Sequence, residues 1–229
     1  MSENKAVLID IDEVIKNKNP KLYKRLPGFI LRYLKRLLHQ DEMNFHLEKN
    51  KDNFGLDFVD GILNDFNLNV ISSGEDNIPV EGRFLFAANH PLGALESMAL
   101  MQVVGKHFKD IRFLVNDLLM HLKNIHPIFV PINKHGSQSK ESLKKIEDSY
   151  ASEMQVMSFP AGLVSRKVKG KIIDLEWKKN FISKAIKYKR DIIPVYINGR
   201  NSNFFYNFAR FRKRIGIKTN IEMLFLPKE

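Results

Sequence analysis

The sequence contains no cysteine among its 229 residues. It therefore has no disulfide framework and no thiolate chemistry, which suits a reducing compartment. It also lacks an apolar run of the ~20 residues needed to cross a bilayer, and residues 1–19 are too polar for a signal peptide. No nucleotide-type glycine loop is present, and the histidines show no metal-ligand spacing. We expect a soluble or peripheral protein without a metal site.

Acidic residues are too few to balance the basic ones. The chain has 37 Lys and Arg against 26 Asp and Glu, which gives a formal net charge of +11. Such an excess indicates an anionic partner, and the two candidates are nucleic acid and an anionic membrane surface. A hydrophobic content of 44% is that of a globular protein with a sizeable core.

Two segments combine cations with apolar residues at helical spacing. Residues 20–39 have the composition of an interfacial membrane helix, although a core-packing helix with a solvated basic face has the same pattern. Residues 203–214 hold five aromatic residues and a basic end, which fits a membrane contact at headgroup level. Stacking on single-stranded nucleic acid and core packing are the alternatives for the second segment. Because both segments share one design, we favour the membrane.

From residue 82 onward, short apolar runs alternate with amphipathic helical patterns. This alternation predicts an α/β fold with a mostly parallel central sheet flanked by helices. The predicted strands are residues 82–88, 111–115, 128–132, 154–159, 192–197 and 220–226. The predicted helices are residues 95–108, 118–125, 140–150, 175–188 and 203–214. With a boundary inside residues 69–81, we expect an N-terminal, membrane-associating helical segment over 1–75 and an α/β core over 76–229.

A motif that contains catalytic residue types follows the first predicted strand. It reads Asn-His-Pro-Leu-Gly-Ala-Leu-Glu over residues 89–96. Ligands of open α/β sheets bind beyond the carboxyl ends of strands, and His90 stands there. Glu96 falls in the next helix's first turn, within reach of the imidazole. A carboxylate on one ring nitrogen fixes the tautomer, so the pair suits deprotonation of an alcohol. Alternatively, Glu96 only complements the helix dipole and the pair is structural.

Two further motifs follow later strands. Residues 159–166 read Phe-Pro-Ala-Gly-Leu-Val-Ser-Arg, in which Gly162 permits close backbone approach to a ligand and Arg166 can hold an anionic headgroup. The strand at 192–197 contains Pro194, which predicts an edge position or a bulge. Arg200 ends that strand near the expected ligand side. An ordinary strand–loop connection with a solvated charge run is the alternative for residues 159–166. Trp177 is expected to pack in the core.

Three ordered blocks resemble the signature of the glycerolipid acyltransferase superfamily, the family of lysophosphatidic acid acyltransferases: Asn89-His90, Phe159-Pro160-Ala161-Gly162 and Ile193-Pro194-Val195. The resemblance covers about residues 80–200, and the ordered combination is more specific than any single block. The chain is most similar to a bacterial branch often called hemolysin-like. Members of this branch include enzymes that O-acylate the lyso-forms of ornithine and glycine lipids.

The resemblance implies a mechanism. His90 would take a proton from an acceptor hydroxyl, which attacks the thioester of acyl-carrier protein or acyl-coenzyme A, and Glu96 would orient His90. Arg166 would hold the acceptor's polar end, and no metal or redox cofactor is needed. The implied substrate-binding residues are Asn89, Lys134, Phe159, Pro160, Ala161, Gly162, Ser165, Arg166 and Arg200. The expected partners are a lysolipid, the acyl donor and the anionic inner face of the cytoplasmic membrane, and nucleic acid is not expected.

Three positions depart from the common signature of the family. Glu96 lies six residues after His90, where that signature has an aspartate at five, and the longer turn of the bacterial branch matches the extra residue. Ala161 replaces a glutamate that contacts glycerol-phosphate acceptors, which favours an aminolipid-type acceptor. Lys134 replaces an arginine. These departures leave two alternatives: a catalytically degenerate module that binds anionic membrane or nucleic acid, and a hydrolase that uses the same dyad.

Overall fold

The computed structural model describes residues 9–132 and 139–229. The described helices are α1 (Ile11–Lys18), α2 (Pro20–Arg25), α3 (Gly28–Leu37), α4 (Gln40–Lys49), α5 (Leu56–Asp65), α6 (Leu95–His107), α7 (Lys140–Ala151), α8 (Asn180–Tyr188) and α9 (Asn203–Arg214). The described strands are β1 (Phe84–Ala88), β2 (Ile111–Asn116), β3 (Phe129–Ile132), β4 (Gln155–Ser158), β5 (Arg166–Val168), β6 (Lys171–Ile173) and β7 (Asp191–Val195). Short 3₁₀ helices lie at Glu75–Asn77, Asp117–His121, Lys123–Ile125 and Ile221–Lys228.

The chain forms two compact units, and the larger one spans residues 53–200. Its centre is a parallel five-stranded sheet with the strand order β3-β2-β4-β1-β7. In register, Leu85 of β1 lies opposite Val156 of β4 on one side and Ile192 of β7 on the other. The sheet confirms the predicted α/β class. Its edge strand β7 carries Pro194, as predicted, because proline has no N–H to donate to a further strand.

All five residues of β1 are buried, as in a parallel strand covered on both faces. Because side chains alternate along a strand, Leu85 and Ala87 share one face, where they join a core cluster with residues of α7 and α8. Phe84 and Phe86 occupy the other face and contact Phe108. The strand that ends in the first motif is therefore held rigidly in the centre of this unit.

Two predicted elements were wrong. The helix expected over residues 175–188 begins only at Asn180, and before it a hairpin forms from β5 and β6. Lys169 and Gly170, at φ 49° and 83°, allow the tight two-residue turn of this hairpin. The strand expected over residues 220–226 is instead part of the 3₁₀ helix Ile221–Lys228. Trp177 lies outside α8 but packs against the core cluster, so its predicted core role is confirmed.

The smaller unit contains the described residues 9–52 and 201–229. The single helix expected over residues 20–39 is divided into α2 and α3, because Pro27 between them has an extended backbone with ψ 147° and no N–H. At the other end of the unit, Arg212 of α9 forms an ion pair of 2.8 Å with fully buried Glu222. The division into domains 1–75 and 76–229 stays a prediction. Within the described ranges, no helix has both the length and the apolarity that a bilayer crossing requires.

Arg190 connects the strands and helices of the larger unit. It is 4% exposed, and burial lowers the pKa of its guanidinium from the usual value. Its N–H groups donate to five main-chain carbonyls, those of Phe84, Ser149, Tyr150, Ser152 and Met154. One side chain thus ties the start of β1 to the end of α7 and the approach to β4.

Replacing Arg190 with methionine should leave these carbonyls without their donor. We expect the free energy of unfolding to fall by at least about 3 kcal/mol, because buried polar groups without partners cost ~1–3 kcal/mol each. Urea denaturation followed by circular dichroism would measure the change. Arg83→Met is the matched control, since Arg83 is half-buried and donates to the carbonyl of Tyr188. Equal effects of the two substitutions would contradict the role given to Arg190.

Candidate active site

His90 lies two residues beyond the end of β1, in the loop that leads into α6. Its Nδ1 is 2.8 Å from Oε1 of Glu96, which is in the first turn of α6. The His90 side chain is 12% exposed and that of Glu96 is 1% exposed. The six-residue spacing therefore places the carboxylate against the imidazole, with the ring still open to a ligand.

Glu96 also shapes the loop that contains His90. The same Oε1 accepts the main-chain N–H groups of Leu92, at 2.9 Å, and Gly93, at 2.5 Å. A buried carboxylate needs such donors, and the amino end of α6 adds a favourable dipole. Gly93 has φ 132°, a conformation that side chains disfavour. The loop therefore closes around one carboxylate oxygen, and the imidazole is its third partner.

The ring of His90 is held on its face as well as at its edge. It stacks on Phe159, with ring centroids 4.2 Å apart and planes 13° apart. Phe159 in turn packs edge-on against Phe113. No residue in the described ranges forms a hydrogen bond with Nε2 of His90, so Nε2 can serve a substrate. With Nδ1 oriented by a carboxylate, this arrangement can remove a proton from a hydroxyl group.

The main chain of His90 is fixed by the loop after β4. The amide of Ser165 donates to the His90 carbonyl at 2.8 Å. The His90 amide donates to Oδ1 of Asp174 at 3.2 Å. Trp177 donates through Nε1 to Oδ2 of the same carboxylate at 2.6 Å. Asp174 was missed from sequence, although it is the first acidic residue after the four cations of residues 166–171.

Asn89 joins the end of β1 to the segment after β7. Its side-chain Nδ2 donates to the carbonyl of Ile197 at 2.9 Å, and its Oδ1 accepts the Ile197 amide at 2.6 Å. The side-chain amide of Asn89 thus makes the two hydrogen bonds with the main chain of Ile197 that a neighbouring strand residue would make. The structure uses both polar atoms of Asn89 to hold the loop, and its role as a substrate-binding residue stays a prediction.

The Phe159-to-Gly162 turn lies beside this histidine. The Gly162 amide donates to the Phe159 carbonyl at 2.9 Å, while Pro160 and Ala161 are buried. A Cβ on Gly162 would lie 3.7 Å from Nζ of Lys178, a cation that sequence analysis did not assign to the site. Gly162 has φ 69°, which explains the need for glycine.

The other predicted site residues differ in how closely the structure brings them to His90. Arg166 follows Ser165 directly, and its Nη1 donates to the carbonyls of Val164, at 2.8 Å, and Ser165, at 3.2 Å. Arg200 is exposed at the end of the larger unit. Lys134 lies outside the described residues. The catalytic and substrate-binding assignments of all these residues stay predictions.

The contact between His90 and Glu96 predicts the tautomer of the neutral ring. The proton should reside on Nδ1, where the carboxylate accepts it, and Nε2 should be unprotonated. Nitrogen-15 NMR of the histidine ring distinguishes the two tautomers. Glu96→Ala should shift the population toward the Nε2–H form, whereas His107→Ala, which removes the other His–Glu pair of α6, should leave His90 unchanged. An Nε2–H tautomer in the wild type would contradict the assignment.

Comparison with known proteins identifies the family of the chain. A family model described as Acyltransferase matches residues 13–229. The chain is 46% identical over 230 residues to the lyso-glycine lipid O-acyltransferase of Bacteroides thetaiotaomicron, with 100% of this chain and 85% of the relative covered. It is 45% identical to the lyso-glycine lipid O-acyltransferase of Phocaeicola vulgatus, with 100% and 82% covered. These matches confirm the predicted resemblance, and the chain belongs to the acyltransferase family.

Proposed function

We propose that the protein transfers a fatty acyl group from a thioester to a hydroxyl of a lyso-glycine lipid. The names of the two relatives support the acceptor. The observation that carries the proposal is the His90–Glu96 pair, with a 2.8 Å contact at Nδ1. In this arrangement His90 is the general base, and Glu96 keeps its ring in the orientation and tautomer that this role needs.

The reaction needs one nucleophile, and the acceptor supplies it. Nε2 of His90 takes the proton as the acceptor oxygen attacks the thioester carbon. The tetrahedral intermediate then collapses, the carbon–sulfur bond breaks, and the thiolate leaves with the proton that His90 returns. The buried charge of Glu96 stabilises the imidazolium between these steps. The acyl donor is either acyl-coenzyme A or a carrier protein that carries the acyl group as a thioester. No metal takes part in this scheme.

The cations beside the loop after β4 suit a carboxylate headgroup. Glycine linked through its amine keeps a free carboxylate, which needs a cation or hydrogen-bond donors. Arg166 is held beside the loop by hydrogen bonds from its Nη1 to the carbonyls of Val164 and Ser165. Lys178 lies beside Gly162. Ala161 adds no negative charge to this turn. We propose that Arg166 and Lys178 bind the acceptor's carboxylate while its hydroxyl reaches Nε2 of His90.

We also propose that the smaller unit binds an anionic membrane from the cytoplasmic side. No residue of α2 or α3 is buried, which argues against the core-packing interpretation of residues 20–39. The exposed large apolar side chains of this unit include Phe29, Tyr33, Phe45, Phe204 and Phe211. Its exposed cations include Lys21, Lys24, Arg25, Arg32, Arg36, Arg210, Lys213 and Arg214. Aromatic and basic residues together favour the interface of an anionic bilayer.

The catalytic proposal predicts the effect of removing the base. His90→Ala should lower turnover of a lyso-glycine lipid by about 10²–10⁴-fold, the usual contribution of general acid–base catalysis. Turnover would be measured with acyl-carrier protein and acyl-coenzyme A donors, and the products separated by mass spectrometry. His107→Ala is the matched control, because it removes a His–Glu contact of 2.6 Å at the other end of α6.

Three outcomes would contradict or change the catalytic proposal. Wild-type turnover in His90→Ala would refute a general-base role for His90. Release of free fatty acid without acylation of the lysolipid would identify a hydrolase. Absence of turnover with either donor and any lysolipid would favour the catalytically degenerate module.

The membrane proposal predicts a loss of binding when charge is reversed in α3. Arg32→Glu combined with Arg36→Glu should weaken binding to vesicles containing anionic lipid by about tenfold or more, since each cation near such a surface contributes ~1 kcal/mol. Sedimentation with vesicles would measure the affinity. The control pair is Lys140→Glu with Lys144→Glu on α7, which changes the net charge equally. Equal loss in both pairs, or tighter binding to RNA than to vesicles, would count against the proposal.

A further inference from the structure

We infer that Asp174 is a positioning residue, which holds the main chain of His90 where proton transfer requires it. The inference rests on the proposed role of His90 as the general base. Its basis is one carboxylate that accepts donors from three separate parts of the chain: the loop after β1, the loop after β4 and the segment before α8.

Both oxygens of Asp174 are engaged. Oδ1 accepts the His90 amide at 3.2 Å and the Ser165 hydroxyl at 3.1 Å, and Oδ2 accepts Nε1 of Trp177 at 2.6 Å. The Ser165 amide also donates to the His90 carbonyl at 2.8 Å. The amide and the carbonyl of His90 are therefore both bound, one to Asp174 directly and the other through Ser165.

The contact between Asp174 and the His90 amide controls a different degree of freedom from the one that Glu96 controls. Glu96 fixes the rotation of the ring through Nδ1, and Phe159 fixes its plane. Neither contact fixes the main chain of His90, which lies in a loop outside any helix or strand. Because a misplacement of 1 Å can cost roughly 10²-fold in rate, loss of the main-chain contact should lower kcat.

Asp174 also sets the position of the histidine relative to the headgroup cation. Ser165 and Asp174 flank the hairpin of β5 and β6, whose residues 166–173 include four cations and no acid. Arg166, the first residue of this hairpin, is proposed to bind the acceptor's carboxylate. The residue that binds the headgroup and the residue that takes the proton are thus connected through Ser165 and Asp174.

The kinetic test compares three substitutions. Asp174→Ala should lower kcat about 10- to 100-fold while the KM for the lysolipid changes less than about threefold. Asp174→Asn should recover part of kcat, because its amide oxygen can still accept from His90 and Ser165. Glu176→Ala is the matched control, since it removes an exposed acid two residues away, and its kcat should equal that of the wild type.

A second measurement does not depend on acyl transfer. Hydrogen exchange of the His90 amide should be faster in Asp174→Ala than in the wild type, by more than the change in global stability accounts for. Unchanged exchange, or a kcat within twofold of the wild type, would overturn the inference. Should Asp174→Ala fail to fold, the same criteria apply to Asp174→Leu, which also removes both acceptor oxygens but keeps a side chain of similar size. A wild type inactive on lysolipids would refute the proposed function, and exchange at His90 would still decide whether Asp174 holds its main chain.

Discussion

A carboxylate as deeply buried as that of Glu96, at 2% exposure, is stable only if donors surround it. The loop after β1 provides them, because two of its amides and the imidazole of His90 converge on one oxygen. The contacts to Oε1 therefore determine the path of the loop at Leu92 and Gly93 and the orientation of the His90 ring together, while Oε2 is buried without a hydrogen-bond partner among the described residues. A loop that failed to close would leave a buried charge unpaired and the ring unoriented.

The parallel sheet brings the second group of contacts to the same place. β1 and β4 are neighbours, so the loops at their carboxyl ends meet at one edge of the sheet. The loop after β4 supplies Phe159 to the face of the His90 ring and Ser165 to its main chain. Two carboxylates, Glu96 and Asp174, then act on one residue from different elements, one on its ring and one on its backbone.

Of the two carboxylates that contact His90, the local one follows from the sequence and the distant one does not. His90 and Glu96 are six residues apart across a strand–loop–helix junction, so their pairing was predictable. Asp174 binds the amide of a residue 84 positions away. The periodicity of neighbouring residues does not predict a contact at that separation. The strands β5 and β6 have three residues each, too few to show alternation. For α3, the amphipathic pattern left core packing and membrane contact open. The helix has no buried residue, which argues against core packing, and membrane contact stays a prediction.

The smaller unit is assembled from two stretches that precede and follow the larger unit in sequence. Translation releases residues 53–200 before residues 201–229 have been made, and units fold largely as their residues emerge. A unit that contains both α3 and α9 can therefore form only after the sheet and the histidine loop have been synthesised. The order of synthesis itself would delay completion of the smaller unit until the chain can fold the unit that contains the sheet and the histidine loop.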